Sequence, residues 1–262
     1  MGAFAPDILI FDVDGVLLDV RQSFPEVIRQ SVLIGWKKFA DGIVDSAGYT
    51  REHEWVLKRH GAFNDDYTIP WVLLNIALAS GSKKLSEAFP SPARLADLIA
   101  GMKGDAVAWV KENFGDKIPR EKMLDTAWNL YVGDADHDGL HRLEKPLVHM
   151  NWKDMPLPVG VYSGRNQTEW KLGKEKLGWL DFPPEQAILY DSYVRKPSPR
   201  GIEILTERMG AHAPLFFGDT ASDVQALKAF SGKGDFVAIG DMLPEQRHYP
   251  DVQTALEDIF HI

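Results

Sequence analysis

Carboxylate side chains follow two of the apolar stretches in this sequence. Asp12 and Asp14 come directly after the run ILIF, and Asp219 and Asp223 come shortly after the run LFF. Side chains two positions apart on an extended chain point the same way, so Asp12 and Asp14 can share one side. At ~5 Å and an effective dielectric of ~20, their charges would repel by roughly 3 kcal/mol. Either one carboxyl stays protonated or a cation binds, and a hard, oxygen-rich site suits Mg²⁺.

A hydroxyl and a lysine follow two further apolar stretches. Ser163 comes directly after residues 157–162, and Lys196 lies in the loop beyond residues 187–190. In an open parallel sheet, ligands collect beyond the carboxyl ends of the strands. The acidic groups, Ser163 and Lys196 would then converge on a single crevice.

Short apolar strands alternate with helices along the C-terminal part of the chain. The predicted strands are 157–162, 187–190, 215–217 and 236–239, and the predicted helices are 167–177, 202–209, 222–230 and 254–260. Pro199 is predicted to begin the second of these helices, with Ser198 as its N-cap. This alternation is typical of a parallel sheet covered on both faces. The predicted fold class is α/β, with a Rossmann-like core.

The first predicted strand, residues 8–11, is far from the others in sequence. Asp12 and Ser163 are 151 positions apart, whereas a simple crossover needs only one helix. The intervening segment carries apolar residues at helical spacing, and its tryptophans are predicted to pack between helices. We therefore predict a sheet core formed by residues 1–20 and 150–262 and an inserted all-α domain formed by residues 21–149.

In these features the chain resembles the haloacid dehalogenase superfamily of hydrolases. The four signatures of that family are matched in order by DVDGV at 12–16, by Ser163, by Lys196 and by GDTASD at 218–223. The helical insertion after the first signature is similar to the cap of the phosphoglycolate phosphatase and β-phosphoglucomutase relatives. One such motif is weak evidence, but four in order, each beside its predicted strand, are a specific pattern.

The resemblance implies a role for each matching residue. Asp12 would be the nucleophile that forms an aspartyl phosphate, and Asp14 would be the general acid and then the general base. Lys196 would offset negative charge on the nucleophile and the phosphoryl group. The phosphoryl oxygens would be held at a helix start by the Ser163 hydroxyl and by the backbone amides of Gly164 and Arg165.

The resemblance also implies Mg²⁺ as the cofactor. The cation would be bound by the Asp12 carboxylate, the Asp14 backbone carbonyl and Asp219, while Asp223 would either coordinate it or orient the other ligands.

Several of these residues have a structural alternative when they are considered singly. Asp19 either begins the hinge to the inserted domain or caps a helix. Ser163 alone could be a plain N-cap, Lys196 a solvated surface lysine and Asp223 a helix N-terminal charge. The joint pattern therefore carries the functional hypothesis.

A second acidic segment, DADHDG at 134–139, is similar to the start of a calcium-binding loop. The EF-hand spacing requires glutamate at position twelve, but that position is Lys145 and Glu144 comes one residue early. We interpret the segment as a solvated return loop. His137 and His141 lack a third ligand in the sequence and are interpreted as surface residues.

Substrate contacts are expected in the inserted domain, because the cap closes over the crevice in the relatives. The most loop-like polar stretch there is HGAFNDDY at 60–67, with Lys58 before it. Lys58, Asn64 and Asp65 are the predicted contacts with the leaving group. The alternative is an ordinary turn between helices.

The composition limits the partners and the compartment. The formal net charge is −9, which argues against binding to nucleic acids or membrane surfaces, and no apolar run is as long as a membrane span. The N-terminal residues have no signal-peptide pattern, and the absence of cysteine allows a cytoplasmic location, which we expect. The expected partner is a small phosphorylated metabolite, and the expected assembly is a monomer or homodimer.

The predicted function is a Mg²⁺-dependent hydrolase of phosphoric monoesters. The first alternative is a sugar-phosphate mutase, whose relatives carry a histidine at the position of Phe24. Dehalogenase and phosphonatase relatives lack the second acid, which is present here as Asp14. The non-enzymatic alternative is a binding domain that accepts phosphate on Asp12, but such domains lack the insertion.

Overall fold

The computed structural model describes residues 4–244 and 246–262, which divide into two compact units. The sheet unit comprises the chain up to Val20 together with Glu144–Ile262, and the helical unit comprises Arg21–Leu143. The predicted return to the sheet unit was at residue 150, whereas the structure places it at Glu144. The difference arises because Lys145 already pairs with Asp19 in a short two-stranded sheet, a long-range contact that the local sequence pattern does not indicate.

The helical unit is built from seven α-helices and one turn of 3₁₀-helix within the described residues. The α-helices are α1 (Phe24–Phe39), α2 (Arg51–Lys58), α3 (Ile69–Leu78), α4 (Leu85–Ala88), α5 (Pro92–Ile99), α6 (Ala106–Asn113) and α7 (Arg120–Val132), and the 3₁₀ turn is Leu140–Leu143. Trp36 and Trp71 are fully buried in the unit's apolar core. Their indole N–H groups donate to the carbonyls of Lys83 (3.1 Å) and Ile118 (2.8 Å), which satisfies the polar end of each ring. For these two tryptophans, the prediction of a helix-packing role is confirmed.

The sheet unit contains one six-stranded parallel sheet and the small antiparallel pair. The strands are β1 (Ile8–Phe11), β2 (Leu18–Asp19), β3 (Lys145–Pro146), β4 (Val159–Tyr162), β5 (Ala187–Ile188), β6 (Pro214–Gly218), β7 (Asp235–Ile239) and β8 (His248–Tyr249). The main sheet has the order β5-β4-β1-β6-β7-β8, and β2 pairs with β3. The predicted α/β fold class is confirmed. The short edge strand β8 has no strand pattern in the sequence and was not predicted.

Helices cover both faces of this sheet. They are α8 (Gln167–Leu177), α9 (Arg200–Met209), α10 (Ala221–Ala229) and α11 (Val252–Phe260). Alternate residues of β1 enter two different apolar clusters: Leu9 packs with α8 and α11, and Ile10 packs with α9 and α10. A strand buried on both sides has no polar positions of its own, which explains the uninterrupted apolar run before Asp12. Within the described residues, no helix is long and apolar enough to cross a bilayer.

The strand order places a ligand crevice at the end of β1. Strand β1 lies between β4 and β6, which connect to opposite halves of the sheet, so β1 and β6 form a topological switch point. Asp12 follows β1 directly, and Asp219 follows β6 directly. The two acidic segments of the sequence are therefore brought together by the topology of the sheet.

Candidate active site

The turn after β1 fixes the first pair of acids. The Asp12 N–H still donates to the Phe217 carbonyl (2.9 Å), after which the chain reverses and the N–H groups of Leu17 and Leu18 both donate to the Val13 carbonyl. Gly15 adopts φ +73°, in the left-handed region that favours glycine. A Cβ atom on Gly15 would lie 2.0 Å from Asp219 Oδ2, so the absence of a side chain allows Asp219 to approach the turn.

Lys196 lies between two buried carboxylates. Its Nζ is 2.8 Å from Asp12 Oδ2 and 2.6 Å from Asp223 Oδ1, and all three side chains are almost completely buried. The other oxygen of Asp12, Oδ1, is buried and has no hydrogen-bond partner within the described part of the chain. Lys196 is therefore not a solvated surface lysine, and one oxygen of Asp12 remains available for another interaction.

Burial strongly changes the acid-base behaviour of this cluster. Burial raises the pKa of Asp12 from 3.8 to about 6, Lys196 opposes that increase, and the charges of Asp223 and Asp14 add to it. Burial alone would lower the pKa of Lys196, but the two carboxylates outweigh it and the pKa lies above its ordinary value. The repulsion between Asp12 and Asp14 inferred from their spacing is thus present, but desolvation is the larger cause.

Asp223 has both structural and electrostatic partners. Its Oδ2 accepts hydrogen bonds from the N–H (3.0 Å) and the hydroxyl (2.7 Å) of Thr220, in a capping box that begins α10. Its Oδ1 accepts from Lys196. A Cβ atom on Gly218 would lie 2.5 Å from Asp223 Cβ, so glycine is needed at this position for the helix to pack there. Asp223 therefore caps a helix and is also part of the charged cluster, and its role toward a metal ion stays a prediction.

Ser163 and Gly164 extend the end of β4 toward the same edge. The Ser163 N–H donates to the Ile188 carbonyl (3.0 Å), and its buried hydroxyl oxygen accepts from the Arg165 N–H at 3.3 Å. Gly164 is exposed, and its N–H makes no hydrogen bond within residues 4–244 and 246–262. The Ser163 hydroxyl hydrogen and the Gly164 amide are thus groups that can donate to an anion, whereas the Arg165 amide is already engaged.

The start of α8 is not an open anion site. Asn166 is its N-cap, and its N–H donates to Glu169 Oε2 at 2.7 Å, while the Glu169 N–H donates to Asn166 Oδ1 at 3.0 Å. The Gln167 N–H donates to Asp191 Oδ2 at 2.7 Å. Of the predicted phosphoryl contacts, only the Ser163 hydroxyl and the Gly164 amide therefore remain available. Ser163 is not the cap of this helix, because the N-cap is Asn166.

The Arg165 side chain has contacts that the sequence did not predict. Its guanidinium group is fully buried, and Nε and Nη2 lie 2.8 and 2.6 Å from Asp14 Oδ1. Nη2 is also 3.0 Å from Glu144 Oε1, and Nη1 donates to the Glu169 carbonyl at 3.2 Å. The sequence contains no signal for Glu144, because it lies beyond the inserted helical unit and outside all four motifs.

The acids at this edge fit a divalent cation. Asp12, Asp219 and Asp223 each offer a carboxylate oxygen, and these three atoms lie within 4.8 Å of one another. The orphaned Oδ1 of Asp12 and the all-oxygen donor set suit a hard cation such as Mg²⁺. Lys196 and Thr220 occupy the oxygens of Asp223, whereas Asp12 Oδ1 has no hydrogen-bond partner within the described residues.

The three predicted contacts in the helical unit have mainly structural partners. Lys58 Nζ lies 2.6 Å from Asp66 Oδ1, and both side chains are largely buried. Asp65 accepts hydrogen bonds from the Thr68 hydroxyl (2.8 Å) and from the N–H groups of Thr68 and Tyr67. Asn64 is half-buried. Lys58 and Asp65 thus stabilise the entry to α3, and contact of the three residues with a substrate stays a prediction.

Two other acidic positions also have local structural roles. Asp134 Oδ1 accepts hydrogen bonds from the Asp136 N–H (2.9 Å) and from the backbone and ring nitrogens of His137 (3.2 and 2.6 Å). This closed turn agrees with a return loop rather than a calcium site. Asp19 lies in β2, and the N-cap of α1 is Ser23, so the helix-capping alternative for Asp19 is wrong.

A sequence profile of the haloacid dehalogenase-like hydrolases matches residues 6–231. No curated protein matches the chain. The phosphatase Tt82 from Thermococcus thioreducens is 26% identical with a TM-score of 0.66, and the alignment covers 97% of this chain and 99% of that one.

Two further solved structures share the fold at lower identity. A candidate phosphoglycolate phosphatase from Lactobacillus delbrueckii subsp. bulgaricus has a TM-score of 0.58 at 15% identity, with 98% of each chain covered. A candidate β-phosphoglucomutase from Thermotoga maritima has a TM-score of 0.50 at 15% identity, covering 98% of this chain and 99% of that one.

Proposed function

Because the chain belongs to the haloacid dehalogenase-like hydrolases, we propose that it is a Mg²⁺-dependent phosphatase of a small phosphorylated metabolite. The reaction would pass through an aspartyl phosphate, an acyl phosphate formed on Asp12. The observation that carries this proposal is the state of Asp12 at the switch point of the sheet. One of its oxygens is 2.8 Å from Lys196, and the other is buried without a partner in the described chain. A buried carboxylate oriented by a cation, with one oxygen left over, suits nucleophilic attack on phosphorus.

Mg²⁺ would be held by the carboxylates of Asp12 and Asp219 and by the Asp14 carbonyl, with Asp223 orienting this set through Lys196. When bound, the cation supplies positive charge to the phosphoryl oxygens. Asp12, Asp219 and Asp223 fit that role because one carboxylate oxygen of each lies within 4.8 Å of the others. The charge of Lys196 is shared between Asp12 and Asp223.

The chain's own residues would carry out two successive displacements. The Asp12 carboxylate attacks phosphorus, the bond to the leaving oxygen breaks, and Asp14 gives its proton to that oxygen. Water then attacks the phosphorus of the aspartyl phosphate, and Asp14 accepts the proton from that water. The bond between phosphorus and the Asp12 oxygen breaks, which restores the carboxylate and releases inorganic phosphate. The Ser163 hydroxyl and the Gly164 amide would hold phosphoryl oxygens throughout, so the chemistry consists mainly of positioning and charge compensation.

The charges of the site agree with this sequence of steps at neutral pH. With a pKa of about 6, Asp12 is mostly ionised at pH 7 and available as a nucleophile. Lys196 stays protonated, because its two carboxylate partners raise its pKa. A permanently charged lysine stabilises the additional negative charge that gathers near Asp12 in the transition state.

The test is phosphate release from p-nitrophenyl phosphate with Mg²⁺ and with excess EDTA. We expect activity that requires Mg²⁺ and is abolished in Asp12→Asn, which keeps the shape of the side chain and removes the nucleophile. Asp154→Asn is a matched control, because Asp154 is an exposed aspartate of the sheet unit outside the site. Turnover that survives in Asp12→Asn or ignores EDTA would contradict the mechanism, and a panel of phosphorylated metabolites would then define the substrate.

The mutase alternative is disfavoured by the surroundings of Phe24. In mutase relatives the matching position is a histidine, whereas here the Phe24 ring is buried and stacks on Tyr131 with centroids 4.7 Å apart. The fold shared with a candidate β-phosphoglucomutase at 15% identity does not distinguish the two activities. Conversion of one sugar phosphate into its isomer, without phosphate release, would favour the mutase.

A further inference from the structure

We propose that Arg165 is a positioning residue that fixes the Asp14 carboxylate for proton transfer, and that Glu144 in turn holds Arg165. This inference rests on the proposed function, in which Asp14 protonates the leaving group. The guanidinium group of Arg165 is fully buried, and its Nε and Nη2 both lie within 2.8 Å of a single oxygen, Asp14 Oδ1. No motif assigns a role to this side chain.

Arg165 is held by a hydrogen bond to helix α8, and Asp14 is held by Arg165. Nη1 donates to the Glu169 carbonyl in α8, and Arg165 is the third residue after the end of β4. Asp14 lies in the turn after β1, and its side chain is 26% exposed. A partly exposed carboxylate in a turn has several accessible rotamers. The hydrogen bond from Nε and the ion pair with Nη2, both on Asp14 Oδ1, select one of them. The second oxygen, Oδ2, then has a defined direction.

Glu144 compensates the buried positive charge of Arg165. Its side chain is fully buried, and Oε1 lies 3.0 Å from Nη2 of Arg165. A buried arginine needs a compensating charge, and Glu144 supplies one that takes no part in the reaction. Arg165 can therefore direct Asp14 without depending on Asp14 for its own neutralisation. A lysine would not replace it, because the planar guanidinium group reaches Asp14, Glu144 and Glu169 at once.

A positioning role for the proton donor predicts a dependence on the leaving group. General-acid catalysis contributes typically about 10²–10⁴-fold, and it matters most when the departing oxygen is strongly basic. Phenyl phosphate needs the proton, whereas p-nitrophenyl phosphate departs readily without it. Loss of Arg165 should therefore harm the first substrate far more than the second. A loss of general stability would harm both equally.

The experiment measures kcat/KM for both substrates, with saturating Mg²⁺, in Arg165→Met, Arg165→Lys and Glu144→Gln. Arg200→Met is the matched control, because Arg200 is a half-exposed arginine of α9 that pairs only with surface glutamates in the described chain. Asp14→Asn, alone and combined with Arg165→Met, completes a double-mutant cycle. If Arg165→Met does not fold, as judged by circular dichroism, the double variant Arg165→Met with Glu144→Gln removes both buried charges and replaces it.

We expect Arg165→Met to lower kcat/KM for phenyl phosphate at least about tenfold more than for p-nitrophenyl phosphate. Arg165→Lys and Glu144→Gln should show the same selectivity to a smaller degree, and Arg165→Met should cause no further loss when Asp14 is already Asn. Equal losses on both substrates, additive losses in the cycle, or an increase in rate would overturn the inference. If the wild-type protein hydrolyses neither substrate, the proposed function itself fails; if it hydrolyses both and only the selectivity is missing, the inference alone fails.

Discussion

Asp12→Asn should make the metal-free protein more stable while it removes activity. Asp12 is buried beside Asp223, and its ionisation is opposed by desolvation that Lys196 only partly offsets. Asparagine has nearly the same shape, carries no charge and can still accept a hydrogen bond from Lys196. The substitution therefore removes an electrostatic cost and retains most of the packing. A reactive site commonly lowers the stability of the folded protein, because the groups that it needs are unfavourable to bury.

The magnitude follows from the pKa of Asp12. The folded protein raises it from 3.8 to about 6, and this difference corresponds to about 3 kcal/mol. A raised carboxyl pKa means that the folded state binds the proton more tightly than the unfolded state. The free energy of unfolding of the wild-type protein should therefore fall as pH rises between about 4 and 6, and the fall should stop above that range. In Asp12→Asn the side chain does not ionise, so it makes no pH-dependent contribution to the free energy of unfolding.

The assay is urea denaturation in EDTA at several pH values between 4 and 8, with wild-type protein, Asp12→Asn and the exposed control Asp154→Asn. The difference in unfolding free energy between Asp12→Asn and wild type should be near zero at pH 4 and reach up to about 3 kcal/mol above pH 6.5. Added Mg²⁺ should stabilise the wild type more than the variant, because it binds the ionised Asp12. A variant that is no more stable than wild type at pH 7.5, or a difference independent of pH, would refute this account of Asp12.

Three further predictions concern the same site and its surroundings. Lys196→Met removes the cation between two buried carboxylates and should lower the free energy of unfolding by about 3–5 kcal/mol in urea denaturation; unchanged stability would contradict the buried cluster. Gly15→Ala and Gly178→Ala should each lower the free energy of unfolding by about 1–2 kcal/mol. Both positions lie in the left-handed region, with φ +73° and +69°, where a Cβ atom is unfavourable. Only Gly15→Ala should also raise the Mg²⁺ concentration needed for half-maximal activity, since its Cβ would lie 2.0 Å from Asp219 Oδ2; equal effects on Mg²⁺ would exclude that contact. Asp134→Asn should leave the Mg²⁺ dependence of phosphate release unchanged, and a shift in that dependence would show a second metal site.

Much of the fold could be predicted because it depends on local patterns. Helix α8 has the predicted bounds, Gln167–Leu177, and β1 has the predicted bounds, Ile8–Phe11. Strand β5 is shorter than predicted, because the chain turns into 3₁₀-helix at Tyr190. In α9 the N-cap position is Pro199, and Ser198 instead accepts a hydrogen bond from the Arg200 N–H. Turns and caps at the ends of elements depend on neighbours that a local pattern does not specify.

Part of the site was predictable from the sequence, and part of it was not. A carboxylate after a buried strand, or a glycine beside an acid, leaves a recognisable local pattern, and this is why Asp12, Asp14 and Asp219 could be named in advance. Arg165 was named for its backbone amide, and its side chain provides the more informative contacts. Glu144 was considered only as a near match to a calcium-loop position, and its contact with Arg165 was not predicted.

The sequence by itself determined the types of catalytic groups, their order along the chain and the sheet edge to which they belong. Buried apolar runs form parallel strands, and parallel strands present their ends on the same side. Only the tertiary structure decided which charges meet: Lys196 with Asp12 and Asp223, and Arg165 with Asp14 and Glu144. The reason is that a charge acquires its partner and its pKa from burial and from distances of a few ångströms, and both depend on how distant segments pack together.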